Sequence, residues 1–325
     1  MKKTIVSCLL LTLACTLVAA PAKKAPARRP AAKPAAAAPA PSGLPETAFR
    51  KTPYVGAIAV DAQTGRVLFE RNADQVARPA SVTKLMTLLL CLEDMHAMKY
   101  DVTTRVTASV RCSQEKPSSV GLKAGQTMTV DDLLMSIMVK SANDAAVLLA
   151  ENSTARNAGR EIQPGDLQAF VVRMNNKAKE LGMTNTHYET PNGYPPKPGS
   201  KRPFDTSTAR DLVKLAKAVL RYPEIFRYTK TKLTTVTDGA GNPLKMVNHN
   251  TILVKDKQKI LDEKGESEVD GLKTGYIDAG GSSVVLTGQR NGKRAVVIVL
   301  GSQTSKLRDS SARQLMIEAL DQIAK

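Results

Sequence analysis

The chain runs to 325 residues with 47 lysines and arginines against 30 acids, a formal net charge of +17, and only 4% aromatic residues. That length holds one substantial folded unit, and no apolar run beyond Ala20 is long enough to span a bilayer, which excludes a polytopic membrane protein. The basic excess raises nucleic acid as a partner, but the scarcity of aromatics and the lack of any nucleic-acid motif exclude that class.

Met1-Lys2-Lys3 followed by the uncharged, largely apolar stretch Thr4 to Ala20 reads as a secretory signal over residues 1–22, cut after the small-x-small triplet Ala20-Pro21-Ala22. Retention as an uncleaved anchor stays open. Residues 23–44 shift to Ala, Pro, Lys and Arg without an acid, a composition that builds no core and predicts a disordered basic linker. Seven cations precede the first acid, Glu46, so the N-terminal region favours anionic wall polymer or membrane surface in the cell envelope. The folded region begins at about residue 45. Gly56 to Val60 and Arg66 to Phe69 are β-rich runs around Asp61-Ala62-Gln63-Thr64-Gly65, which predicts an antiparallel pair.

Ser81 follows Pro79-Ala80 and opens the apolar run Leu85, Met86, Leu88, Leu89, Leu90, Leu92, a buried helix predicted over Leu85 to Met95. At the N-terminus of that helix, unpaired N–H groups and the macrodipole favour negative charge near the hydroxyl. Lys84, three residues on, shares the face of Ser81. Lysine is a poor base at its ordinary pKa of about 10.4, but burial and a second cation lower that value, and Lys273 is the candidate second cation. Ser81 and Lys84 therefore form a candidate nucleophile and general base that need no histidine. A second Ser-x-x-Lys, Ser113-Gln114-Glu115-Lys116, lies in a polar stretch running into Pro117 with no apolar helix to bury its lysine, and reads as a surface loop.

Thr129-Val130-Asp131-Asp132 resembles a capping box and starts a helix predicted over Asp132 to Val139. Ser141-Ala142-Asn143 then falls on a connector before a helix over Ala145 to Glu151, which Asp144 is placed to cap. Alone, the tripeptide is an ordinary Ser/Asn linker; between two helices it presents Ser141 and Asn143 to a substrate and to Lys84. Further helices are predicted over Leu167 to Leu181, Thr208 to Arg221 and Ser310 to Ala324. The Pro- and Gly-rich stretch Gly182 to Asp205 either shapes substrate access or is a surface excursion. Lys273-Thr274-Gly275 precedes a strand over Ser283 to Gln289, the turn Asn291-Gly292 and a strand over Ala295 to Leu300, a strong hairpin signal. On a strand, Lys, Thr and Gly offer a cation, a hydroxyl and open backbone to an extended peptide carrying a carboxylate.

The three motifs in this order are the set found in penicillin-binding proteins and β-lactamases. Their settings, Pro79 to Thr87, Ser141 to Ala146 and Asp270 to Tyr276, within a stretch from about Pro53 to Leu320, resemble the low-molecular-mass serine D-alanyl-D-alanine carboxypeptidases. The resemblance implies an α/β fold of β-lactamase/transpeptidase type: an antiparallel sheet sandwiched by helices, with a mostly helical subdomain inserted. The catalytic domain would cover 45–325, its α/β part about 45–100 and 230–325 and its insertion about 101–229. It further implies that Ser81 attacks the bond between the two terminal D-alanines of a peptidoglycan stem peptide, with Lys84 as general base and Ser141, Asn143 and Lys273 completing the site. The backbone N–H groups of Ser81 and Tyr276 would form the oxyanion hole, and β-lactam antibiotics would trap Ser81 as inhibitors. Lys273, Thr274 and Gly275 would bind substrate. Two readings stand for Arg308: a grip on the substrate carboxylate, or a solvated arginine near a helix start. Two also stand for His249, in Asn248-His249-Asn250 where relatives often carry arginine: it borders the substrate, or it is structural or exposed. Tyr276 departs from the histidine or other polar residue of many relatives. Neither a cofactor nor a C-terminal β domain after Lys325 is expected.

Three neighbouring functions remain: a DD-endopeptidase cutting cross-links, a class A β-lactamase, and a non-catalytic peptidoglycan-binding relative. The β-lactamase needs a glutamate in an E-x-x-L-N setting, which neither Glu161 nor Glu189 occupies. Outside the signal, Cys91 and Cys112 are free to pair or to stand as buried thiols. His96, His187 and His249 are scattered and no His-Glu-x-x-His or Cys-x-x-Cys occurs, so no metal site is expected.

Overall fold

The computed structural model describes residues 54–115, 118–254, 259–262 and 265–324; the signal and linker readings for 1–44 lie outside the described residues. In chain order come β1 (Gly56–Asp61), β2 (Val67–Arg71), a short 3-10 helix (Ala80–Thr83) and α1 (Lys84–His96). A region of small elements follows: β3 (Arg105–Thr107), α2 (Val110–Ser113), β4 (Thr127–Thr129), α3 (Val130–Val139), α4 (Asn143–Asn157), α5 (Asp166–Glu180), α6 (Ala209–Val219) and α7 (Ile225–Thr229). The last part holds β5 (Leu233–Thr237), β6 (Pro243–Val247), α8 (Thr251–Val254), β7 (Lys259–Asp262), β8 (Gly265–Ile277), β9 (Gly281–Arg290), β10 (Lys293–Ser302) and α9 (Ser305–Ala324).

β1, β9 and β10 are buried along nearly their whole length, with apolar centres, because both faces of the sheet they share are covered. Successive side chains point to opposite faces. Ala57, Ala59, Val284, Leu286, Val297 and Val299 meet Ala312, Leu315, Met316 and Leu320 of α9. Ile58, Val60, Val285, Val296 and Ile298 join the larger core with α1, α3, α4 and α6. The main sheet is antiparallel throughout, in the order β2-β1-β10-β9-β8-β7. This is the expected α/β architecture, with the predicted hairpin turning at Asn291-Gly292, both at positive φ.

α1 is buried on all sides, as its unbroken apolar run requires, and it delivers the Ser81 turn to the edge of the sheet. Among the described residues no helix is long and apolar enough to cross a membrane.

Some local expectations are corrected. Asp144 does not cap α4, which starts at Asn143 without a side-chain cap. Its buried carboxylate instead accepts from the backbone N–H groups of Val120, Gly121, Leu122 and Ala145, gathering a neighbouring loop. α9 begins five residues earlier than the apolar pattern indicated and so encloses Arg308. The β5–β6 hairpin, closed by Asp238 Oδ1 accepting from the N–H groups of Ala240 and Asn242, had no alternating pattern to announce it. Cys91 and Cys112 are unpaired buried thiols, and burial pushes their pKa values up to about 12 and about 11.

Candidate active site

Ser81 sits in the 3-10 helix ahead of α1, where Ala80 takes a positive φ of 51° that residues with a Cβ seldom adopt. Two backbones press on this turn. A Cβ on Gly193 would lie 1.9 Å from the carbonyl oxygen of Ala80, and one on Gly275 would lie 2.5 Å from that of Pro79 and 3.1 Å from the nitrogens of Ser81 and Val82. Glycine at 275 therefore lets β8 run directly against the serine turn.

Lys84 is wholly buried, and its Nζ stands 3.0 Å from Ser81 Oγ, 2.7 Å from Asn143 Oδ1 and 2.7 Å from the carbonyl oxygen of Asn192. Burial first, and then the Lys273 cation, hold its pKa well below the ordinary lysine value. A neutral amine has two hydrogens and one lone pair. Asn143 Oδ1 and the Asn192 carbonyl can only accept, so they take the two hydrogens and leave the lone pair facing the Ser81 hydroxyl. The geometry thus suits Lys84 to take the serine proton.

Lys273, also buried, donates to Ser141 Oγ at 2.9 Å and to the carbonyl of Thr274 at 2.9 Å. Burial, followed by the Arg308 cation, lowers its pKa to about 7. Ser141 occupies the turn between α3 and α4 at a φ of 59°. That turn is held by Ala142 N–H donating to Ser136, Asn143 N–H to the Ser118 carbonyl, and Ser118 Oγ to the Lys140 carbonyl. Strain of this kind, at Ala80 and Ser141 alike, gathers where side chains must be aimed. Among the described residues, β8 from Leu272 to Ile277 pairs only with β9, because β7 reaches no farther than Glu268. Its other edge is open to an added strand beside Ser81.

Ser81, Lys84, Ser141, Asn143, Lys273 and Gly275 are brought together. The remaining candidates divide. The Tyr276 ring is 60% exposed and its hydroxyl bonds Asp278 at 2.7 Å, so only its backbone faces the cluster's strand edge. Arg308 is not a solvated arginine: it is 4% exposed, its guanidinium bonds Asp309 at 2.6 Å, and its charge reaches Lys273. Thr251 in turn bonds the second oxygen of Asp309. His249 donates its backbone N–H to the Val139 carbonyl at 3.1 Å and lines a cavity of about 450 Å³ with Lys140, Lys245 and Thr251. The residue is exposed at the cavity's surface, where partial desolvation and then the cations of Lys273, Lys140 and Lys84 lower its pKa to about 4. The Glu161 carboxylate lies 3.8 Å from Arg156, and Glu189 pairs with His187.

The stretch Gly182 to Asp205 proves to be a wall of this site. Thr83, at the end of the 3-10 helix, and Lys84 and Thr87, in the first turn of α1, bond Asp205, the Asn192 carbonyl and the Pro191 carbonyl respectively. Asp205 also accepts from the N–H groups of Glu189 and Thr190. The surface-loop reading of the second Ser-x-x-Lys needs a matching correction: Glu115 accepts from Asn192 Nδ2 at 3.1 Å and pairs with Arg111 at 2.6 Å, steadying the residue that holds Lys84. Only the turn dipeptide Asn192-Gly193 hinted at order there.

The family model described as D-alanyl-D-alanine carboxypeptidase matches residues 52–304. The D-alanyl-D-alanine carboxypeptidase DacF of Bacillus subtilis is 30% identical over 266 residues, covering 82% of this chain and 62% of that relative. The chain spans about three fifths of the length of the first curated relatives it matches. Among solved structures, the D-alanyl-D-alanine carboxypeptidase DacD of Francisella tularensis superposes with a TM-score of 0.70 at 25% identity, over 82% of this chain and 70% of that one. Penicillin-binding protein D2 of Listeria monocytogenes in its ampicillin-bound form superposes with a TM-score of 0.65 at 29% identity, over 82% and 96% of the two chains.

Proposed function

The chain belongs to the D-alanyl-D-alanine carboxypeptidase family, and from that membership we propose that it is a serine DD-peptidase removing the terminal D-alanine of peptidoglycan stem peptides. The observation that carries the reading is the buried Lys84 amine, 3.0 Å from Ser81 Oγ, whose other two neighbours are acceptors alone.

In this reading Ser81 Oγ attacks the carbonyl carbon of the penultimate D-alanine while its proton passes to Lys84 Nζ. The oxyanion rests on the backbone N–H groups of Ser81 and Tyr276, each such donor contributing about 3 kcal/mol to the transition state. The Lys84 ammonium protonates the leaving nitrogen, D-alanine departs, and the acyl group remains as an ester on Ser81. Water, losing its proton to Lys84, then cleaves the ester and restores both groups. Lys273 and Thr274 receive the substrate's terminal carboxylate, with Arg308 adding positive potential behind them, and His249 borders the substrate as a neutral ring. Asn143 and Ser141 hold the two lysines and the peptide. A β-lactam acylates Ser81 the same way, but its amine stays tethered. The Lys2-Lys3 start and apolar stretch to Ala20 support export, and the cations up to Lys33 support attraction to anionic surfaces of the envelope.

After incubation with a fluorescent penicillin, intact-mass analysis is expected to show one adduct on the wild-type protein and none on Ser81→Ala; an unlabelled wild type overturns the reading. Monomeric pentapeptides should release D-alanine, and cleavage of cross-linked dimers alone would make the protein a DD-endopeptidase instead.

A further inference from the structure

In the DD-peptidase reading, two backbone N–H groups from distant parts of the chain must meet one oxyanion, that of Ser81 in the 3-10 helix and that of Tyr276 in β8. Their spacing depends on how the β8–β9 hairpin is held against the nucleophile's segment. Gly275 makes one contact of this kind, against Pro79, Ser81 and Val82. Arg78 makes a second.

Arg78 is half-buried and stands three residues before Ser81. Its Nη1 donates to the carbonyl oxygen of Ala279 at 2.6 Å, three residues beyond Tyr276. Ala279 lies in the connection between β8 and β9, where it and Asp278 are exposed. The same connection seats on the body of Arg78: a Cβ on Gly280 would lie 2.9 Å from Arg78 Cβ and 3.1 Å from its carbonyl oxygen. On its other side the guanidinium carbon is 4.0 Å from the centroid of the Phe204 ring, well within cation–π range. Phe204 belongs to the wall of the site, next to the Asp205 that Thr83 holds. Ala77 and Ser207 exchange both backbone hydrogen bonds, at 2.8 and 3.0 Å, so the segment carrying Arg78 is stitched to that wall. Arginine suits the place because its edge can donate while its face stacks, which an ammonium cannot do.

We infer that Arg78 is a positioning residue for acylation: it braces the β8–β9 connection against the nucleophile's segment and so sets the distance between the Ser81 and Tyr276 N–H groups. The inference deepens the DD-peptidase reading and rests on it. Arg78 acts through the backbone of β8, and Phe204 acts through Arg78.

Stopped-flow labelling over a range of fluorescent-penicillin concentrations separates the acylation rate constant from the dissociation constant of the complex that precedes it. Arg78→Ala is expected to lower the rate constant about tenfold, less than losing an oxyanion donor costs, because the donor is displaced and not removed. The dissociation constant should stay within about twofold, and labelling should still reach one adduct per chain. Phe204→Leu should lower the rate constant about threefold, and adding it to Arg78→Ala should cost nothing further. An acyl-D-alanine boronic acid, whose adduct on Ser81 Oγ is tetrahedral like the intermediate, should lose affinity for Arg78→Ala by the same factor as the rate constant. An Arg78→Ala rate constant within about twofold of wild type overturns the inference. So do a loss confined to the dissociation constant or to the labelled fraction, losses that multiply in the double variant, and an unchanged boronate affinity. A labelled wild type that does not need Arg78 loses only the brace, whereas an unlabelled wild type overturns the peptidase reading and the brace with it.

Discussion

Two lysines within one dry cluster need each other to work. Burial and then the Lys273 charge press Lys84 toward its neutral form, while Lys273 keeps its proton only up to about pH 7. Acylation therefore rises with pH as Lys84 loses its proton and falls again as Lys273 loses the charge that attracts an anionic ligand, the two limbs belonging to the pair. Arg308 is the second cause of the lowered Lys273 value. Arg308→Gln removes that repulsion, so Lys273 stays charged to higher pH. The falling limb of the penicillin acylation rate should move to higher pH, with a lower rate throughout from the lost positive potential. Stopped-flow labelling across pH 5 to about 10 checks this, and a limb that does not move shows that Arg308 does not act on Lys273.

At the scale of elements, the site is a junction of β8, the 3-10 helix before α1, and the α3–α4 turn. β8 approaches the helix so closely that a methyl group on Gly275 would meet the Pro79 carbonyl at 2.5 Å. The oxygen is backbone and a Cβ is fixed directly to the backbone, so neither can swing aside. Gly275→Ala should push the strand edge away from Ser81, and a misplacement of about 1 Å costs about 100-fold in rate. The expected result is a slow but folded protein: far-UV circular dichroism retained, penicillin acylation down by about two orders of magnitude. Acylation near the wild-type rate would show that the strand can retreat without consequence. The wall on the other side depends on the junction of the 3-10 helix and α1, where Thr83, Lys84 and Thr87 hold Asp205, Asn192 and Pro191.

For the whole molecule, burying two amines opposes stability. A lysine whose folded pKa is about 7 against an ordinary 10.5 binds fewer protons folded than unfolded across that interval. Stability then rises with pH between those values and is lower at pH 7 and below. Lys273→Met keeps an unbranched side chain and removes the charge. It should abolish penicillin labelling yet raise the melting temperature at pH 6, and the gain should shrink by pH 9.5. Equal gains at both pH values would mean that the lysine charge is not what the fold resists.

Four strands of the sheet and α1 were legible in the chain because both write their burial into local order: short apolar runs between turn residues, and a Leu-rich run behind Pro79-Ala80-Ser81. Ser81 and Lys84 were legible for the same kind of reason, since a serine ahead of a buried helix and a lysine one turn later already share a face, whereas Lys273 was legible through the resemblance that the three motifs carry together. Tertiary structure alone decided the rest. Asn192 meets Lys84 across 108 residues, Thr83 meets Asp205 across 122, and Glu115 meets Asn192 across 77. No local period marks such contacts. Arg308 was open between substrate and solvent because an arginine near a helix start looks the same in either place; the turn of α9 that begins at Ser305 is what buries it. Sequence by itself marked the serine and lysines that the fold gathers and most of the elements that bear them, because periodicity and helix ends are properties of neighbouring residues. Only the fold decided how those groups are charged and walled, because dielectric, Coulomb partners and hydrogen-bond acceptors arrive from distant parts of the chain.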